Sequence, residues 1–333
     1  RLLERGLRVG FMKPFGTHPM RVGGYWTDHD AFLFKGILKL QEPLTKICPY
    51  LLSEETCSEK RTEVILKVIK SLAQELSTGK DILLIMGSKH IFYDETSCPI
   101  PDISLISELG ADSLLINRYR RASRSIYSIL FVRSMLKERI KGVILNRVPP
   151  EKLEEVQNEM LPPLSEKGVP IAIPLPEDPL LSFRSLREVC EILDGAFLCG
   201  EEKIHQPVGR MTVGTTDLKG ELLLFKRVHN KVILLEPISL DKGMEEPRPS
   251  ASVAGILLTG GRKPPSQVLE VAIDAGIPLL LVKEDTFSAL ERLEQTPPRL
   301  SSKDERKARR FTELLDRSPS FDRLIQSLVL SIS

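Results

Sequence analysis

Short apolar runs of strand length alternate with longer stretches of helical period, and this alternation limits the fold more than any single motif. The runs are Arg8–Met12 (R-V-G-F-M), Asp81–Met86 (D-I-L-L-I-M), Ser113–Ile116, Gly142–Asn146 (G-V-I-L-N) and Pro170–Ile173. Between them the spacing predicts helices over Lys60–Thr78, Ile103–Leu109, Ser123–Glu138 and Glu151–Met160, with another over Phe183–Leu193. The Lys60–Thr78 stretch puts Val64, Ile65, Val68, Ile69, Leu72 and Leu76 on one face, and Gly79 is placed to end it. No hairpin signal is read in this region. Strands that alternate with helices predict a parallel sheet covered on both faces, an α/β architecture. Right-handed crossovers then bring the turns after the strands to one rim, where Lys13, Gly87, Asn117 and Asn146 are expected to meet. That rim is where open parallel sheets bind ligands.

A chain of 333 residues is long enough for two cored domains. A boundary is expected near Cys199–Gln206, after which a second α/β set is read: strands at Val208–Thr212, Lys231–Leu235, Gly255–Thr259 and Leu279–Val282, with helices at Leu218–Val228, Ser266–Ala275 and Thr286–Leu293. Glu245–Ser250 (E-E-P-R-P-S) reads as a loop. This divides the chain into 1–205, 206–300 and a charged helical tail, 301–333. The basic-acidic run Lys303–Arg310 suits a partner or a solvated helix face equally.

The net charge is +2, with acids and bases interspersed, and aromatic residues make up 5%. Neither property suits a nucleic-acid or anionic-membrane surface. No apolar run reaches the ~18 residues of a membrane span. Five cysteines form no C-x-x-C pair. The odd count fits no closed disulfide framework and predicts a reducing, cytoplasmic setting.

Lys13, before Pro14, offers a compact cation to a phosphate or carboxylate; taken alone, it reads more readily as a solvated lysine in a turn. A Gly-, Pro- and His-containing loop, Gly16–Gly24, follows, and Asp28 or Asp30 is placed to cap the next helix. Either carboxylate also suits Mg²⁺. Asn146 caps a turn or presents an amide to a ligand. The chain opens inside a predicted helix with no strand ahead of it, so it is expected to be a fragment. No G-x-x-x-x-G-K-[ST] phosphate loop occurs in the 333 residues.

Several phrases coincide in order and spacing: G-L-R-V-G-F-M-K-P-F-G-T, D-H-D-A-F-L-F-K-G-I-L-K-L, E-P-L-T-K-I-C-P-Y-L-L, K-D-I-L-L-I-M-G-S, K-G-V-I-L-N-R-V-P and I-P-L-P-E-D-P-L-L. Together they resemble the dethiobiotin-synthetase-like P-loop domain at the amino end of long phosphotransacetylases. V-G-R-M-T, I-L-L-T-G-G-R-K-P and L-L-L-V-K-E-D-T-F resemble the DRTGG domain that follows it. The resemblance covers roughly residues 1–300. It implies a parallel-sheet P-loop NTPase-like domain followed by a smaller α/β DRTGG-like domain, with ATP and Mg²⁺ as cofactors of the full-length protein.

By the same resemblance, Lys13 faces substrate and phosphate, Asn146 hydrogen-bonds the base, Pro174, Glu177 and Asp178 lie in the loop over the base, and Asp30 stands near the metal. Where relatives read Glu-Gly, with the Glu on Mg²⁺, this chain reads Met86-Gly87. A thioether is a poor ligand for a hard cation. Asp94 and Glu95 are the nearby carboxylates that compensate in an active version. The acidic-basic phrase that names the DRTGG family is absent; Glu236–Asp241 stands near its place. Acetyl transfer by this chain alone is not expected. The resemblance therefore implies a regulatory or ligand-sensing module that takes a nucleotide or small anion and forms a homo-oligomer. The alternative is an ATP-dependent ligase of dethiobiotin-synthetase type.

Overall fold

A computed structural model describes residues 1–52, 59–88, 91–92, 100–213, 232–237, 253–296, 298, 300 and 304–330. The predicted helix at 218–228, the loop at 245–250 and the carboxylates Asp94 and Glu95 lie outside the described residues. Contacts divide the chain into two units. The first holds Arg1–Glu177 and Phe311–Ser333, and the second Asp178–Arg310.

In the first unit, β1 (Val9–Met12) is followed by an antiparallel hairpin, β2 (Pro19–Val22) and β3 (Tyr25–Asp28). The stretch read as a loop is therefore largely a hairpin. Its signal was Gly23-Gly24, which adopt φ of 55° and 89°. A two-residue turn with both central residues at positive φ matches the twist of the strands it joins. Along β3, Tyr25 and Trp26 are exposed while Thr27 and Asp28 are buried, so the hairpin carries Asp28 inward. Helix α1 (His29–Ile37) starts directly from β3.

Helix α2 (Glu59–Ser77) covers β1 and β4 (Ile82–Ile85), which pair in parallel. Ile65, Ile69, Ala73 and Leu76 are its buried positions. Val64 and Val68, expected on the same face, are 60% and 37% exposed. The buried stripe is centred one position further round, on Ile65 and Ile69, which leaves those two valines on its flank. The apolar run of β4 was expected to be buried, yet every residue of it is half-buried. Among the described residues its one paired neighbour is β1, so its other edge has no strand against it.

Helix α3 (Asp102–Leu109) leads to β5 (Ser113–Arg118), α4 (Ala122–Leu136), β6 (Ile140–Val148) and β7 (Ala172–Pro176). The last three strands form a parallel sheet in the order β5-β6-β7. Ile129, Val132 and Leu136 of α4 pack with Val143 and Leu145 of β6. A fully buried side chain of this size contributes ~1.5–3 kcal/mol. Parallel pairing and helical cover agree with the alternation read from the sequence.

In the second unit, α5 (Leu186–Ile192), β8 (Ala196–Cys199), β9 (Pro207–Val213), β10 (Val232–Pro237), β11 (Gly255–Leu258), α6 (Ser266–Asp274), β12 (Leu279–Leu281) and α7 (Thr286–Gln295) surround one sheet. A two-residue strand, Arg184–Ser185, pairs with β9, and the order continues β10-β11-β12-β8. Among the described strands, only β11 and β12 pair in parallel, across the helix α6; the other pairs are antiparallel. This sheet is therefore mixed. The boundary read near residue 205 falls inside the unit, because Leu186, Val189 and Leu193 pack with Val208, Ile233 and Leu257.

Two helices follow, α8 (Glu305–Asp316) and α9 (Pro319–Leu330). Leu324 of α9 is fully buried with Ile144, Ile173 and Leu175 of the first unit's sheet. No helix of the described residues is long and apolar enough to cross a membrane.

Candidate functional site: a buried lysine held by two aspartates

Lys13 directly follows β1, and its backbone N–H donates to the Ile47 carbonyl at 2.8 Å. Its side chain is 1% exposed. An ammonium at that depth demands charged partners, and two are present. Nζ lies 2.9 Å from Asp28 Oδ1 and 2.6 Å from Asp30 Oδ2. The turn after β1 supplies the cation, and the end of the hairpin with the first turn of α1 supplies the anions.

Asp28 has further work. Its Oδ1 accepts from the backbone N–H of Asp30 at 2.8 Å and of Ala31 at 3.3 Å, which makes it the N-cap of α1. Its Oδ2 accepts from the His18 N–H at 2.8 Å. Of the two capping candidates in the sequence, Asp28 is the cap, and Asp30 points at the lysine. Burial pushes the Asp30 carboxyl up. Hydrogen bonds from His29 and Lys13, with the Lys13 charge, outweigh that and hold it well below the usual carboxylate range.

His18 completes the cluster: ligating atoms of His18, Asp28 and Asp30 lie within 4.8 Å of one another. His18 was not singled out in the sequence. Recognising the Gly23-Gly24 turn would have found it, because that turn pairs Pro19 with Asp28 and brings His18 alongside. Cys48 also stands close. Burial, and then the Asp28 charge, push its thiol up to about 12.

The cluster as it stands does not fit Mg²⁺. That ion wants near-octahedral oxygen ligation. Here the two carboxylates are already compensated by the Lys13 ammonium, and Asp28 spends both oxygens on backbone donors and the lysine. Met86, at the end of β4, packs its thioether with Phe11, Ala31, Leu40, Ile47 and Cys48.

The other predicted residues make different contacts. Asn146 sits in β6, opposite Arg118 of β5, and its carbonyl accepts from Tyr119 N–H at 2.8 Å. Its half-buried side-chain amide makes no hydrogen bond among the described residues. Arg147 beside it adopts φ of 58°, rare for a residue with a side chain. Register with β7 breaks there, between Leu145 and Val148. Pro174 lies within β7, opposite Leu145, not in a loop. Glu177 is exposed and donates its N–H to the Val148 carbonyl at 2.7 Å. Asp178 is buried; it caps a turn through Leu180 N–H at 2.9 Å and pairs with Arg310 Nε at 2.7 Å. Asn117 spends its amide N–H on Ser128 Oγ at 3.0 Å.

A family described as an AAA domain matches residues 1–191, more than half of the chain. The chain belongs to that AAA-domain family. Behind the AAA domain, a DRTGG domain matches residues 188–296. The two follow one another in the order that the sequence resemblance implies. The chain is also similar to a phosphate acetyltransferase of a Synechocystis species, 23% identical over 361 aligned positions. That alignment covers 98% of this chain and 48% of the relative. The chain thus spans about half the length of the curated relative it matches.

Proposed function

We propose that this AAA–DRTGG chain is a regulatory, ligand-sensing module of nucleotide-binding type that does not itself transfer phosphoryl groups. The state of Lys13 carries the reading. Phosphoryl transfer relies on cations that meet charge developing on the transferred group. The Lys13 charge is instead compensated by Asp28 and Asp30. Met86 supports the same reading, because a thioether packed among apolar side chains replaces the carboxylate that would steady Mg²⁺. The unspent amide of Asn146 favours retained recognition of a base edge, with Pro174 in the neighbouring strand and Glu177 and Asp178 following it. Similarity to phosphate acetyltransferase over half that relative's length favours a module that modulates an enzyme. We place it in the cytoplasm, as part of a homo-oligomer.

Calorimetric titration of ATP with Mg²⁺ into the full-length gene product tests this. Binding without turnover is the expected result. ADP formation with a small carboxylate or amine overturns it and establishes the ATP-dependent ligase instead.

A further inference from the structure

The second unit contains a cavity of about 210 Å³. Its walls include Arg184, Ser185, His205, Asp304, Arg306 and Lys307. Three permanent cations and a histidine thus face one carboxylate across a small space.

The cations are not equivalent. Lys307 Nζ lies 3.1 Å from Glu188 Oε2, and both side chains are close to buried, so its charge is matched from behind. Arg184 is held differently. Its Nη2 donates to the carbonyl oxygens of Leu293, at 2.5 Å, and of Thr296, at the carboxyl end of α7. Those bonds are to neutral oxygens, and the carboxylate acting on the guanidinium, Glu188, is already paired with Lys307. Its Nε is buried and has no hydrogen-bond partner among the described residues. A buried N–H of a charged group left in that state costs free energy. Burial lowers the Arg184 pKa, and the Glu188 charge opposes that shift. Arg306 stands exposed at the rim. The Ser185 hydroxyl is oriented by its capping-box contacts with Glu188, accepting from the Glu188 N–H at 3.2 Å.

We propose that this cavity is a binding site for a small organic anion with a carboxylate or monophosphate head. The head would lie between Arg184 and Arg306, beside Ser185 and His205. Volume decides against a nucleotide here, since pockets for ligands of drug size run from roughly 300 to 1,000 Å³. With Lys307 matched by Glu188, Arg184 and Arg306 still outnumber Asp304 among the described lining residues, which favours an anion over a neutral or cationic ligand. The inference deepens the ligand-sensing reading above by giving a sensed ligand a place of its own.

The test is calorimetry on the full chain with inorganic phosphate and with malonate, against sodium chloride at equal ionic strength and without nucleotide. Saturable binding of at least one probe at one site per chain is expected, and the preferred probe names the head group. Arg306→Glu should weaken that binding by about tenfold or more, the loss of one charge-assisted contact. Its unfolding midpoint without ligand should not move. Arg306→Lys should keep most of the affinity. No saturable binding of either probe overturns the proposal, as does unchanged affinity in Arg306→Glu. ATP turnover in the separate assay would overturn the regulatory reading and leave this result standing, so the two failures are distinct.

Discussion

The Lys13 ammonium lies 2.9 Å from the Asp28 carboxylate, with both side chains closed off from solvent. Such a pair is weak evidence for stability as a whole, but breaking it strands a buried charge. Lys13→Met should cost about 3 kcal/mol, the lower end of the range for such losses, because three backbone donors still serve Asp28. Asp28→Asn keeps a good N-cap and removes the charge. In urea unfolding the double variant should lose less than the sum of the two, with a coupling of about 1–3 kcal/mol. Strict additivity would mean the two groups do not act as a pair.

The acid limb of the stability curve follows from Asp30. Its folded pKa is depressed, so its contribution is present above the unfolded value near 4 and is lost as pH falls below that. Asp81 acts in the same direction, held at about 2 chiefly by hydrogen bonds from the Arg8 side chain and backbone N–H. Asp30→Asn should therefore flatten the fall in stability below about pH 4. Chemical unfolding measured in half-unit steps from pH 5 to pH 2 reads the slope. An unchanged slope would remove Asp30 from the account.

What the sequence disclosed and what it hid have different physical roots. Apolar runs such as Arg8–Met12 and Gly142–Asn146 mark strands because burial needs them. The parallel pairing followed from helices long enough to cross over, as between β5 and β6. The hairpin was hidden because its strands are short and largely exposed, so they carry no apolar pattern; only Gly23-Gly24 announced it. The lysine–aspartate cluster was hidden for the same reason. Lys13 and Asp30 were visible singly, but a solvated lysine and a buried one look alike until the hairpin folds Asp28 inward. In the second unit nothing local predicts that β9, β10 and β11 run antiparallel, since strand direction is set by connections rather than composition.

Cys48 should be inert in the folded protein. A thiol pushed up to about 12 by burial and the Asp28 charge holds almost no thiolate at pH 8. Against an ordinary thiol near 8.5, alkylation should slow by on the order of a thousandfold. Iodoacetamide labelling followed by peptide mass spectrometry, with and without urea, reads this site by site. Rapid native labelling at Cys48 would show that the region beneath α1 is open.

The last helix is seated on the first unit's sheet through one close approach. A Cβ added at Gly142 would stand 2.7 Å from Leu324 Cδ1 and 3.4 Å from the Ile171 carbonyl. Leu324→Ala removes a fully buried side chain and should cost about 2–5 kcal/mol. Gly142→Ala should cost about 1–3 kcal/mol by overpacking at the same point. Combining them should recover part of the loss, because the smaller residue makes room for the added methyl. Recovery in guanidinium unfolding would confirm that α9 rests directly on β6, and simple additivity would contradict it.

Gly16 sets the floor of the lysine–aspartate cluster. A Cβ there would lie 2.6 Å from Leu51 Cδ2, 2.8 Å from Asp28 Cβ and 2.9 Å from Cys48 Sγ. The leucine end can swing away. Asp28 has less freedom, because its carboxylate is tied to Lys13, to His18 N–H and to the start of α1. Gly16→Ala should therefore cost about 1–3 kcal/mol through overpacking. It should also raise the rate of amide exchange at Asp30 and Ala31, whose N–H groups Asp28 caps. A variant that loses stability without faster exchange at those two amides would show that the strain is absorbed by Leu51 and that Asp28 stays in place.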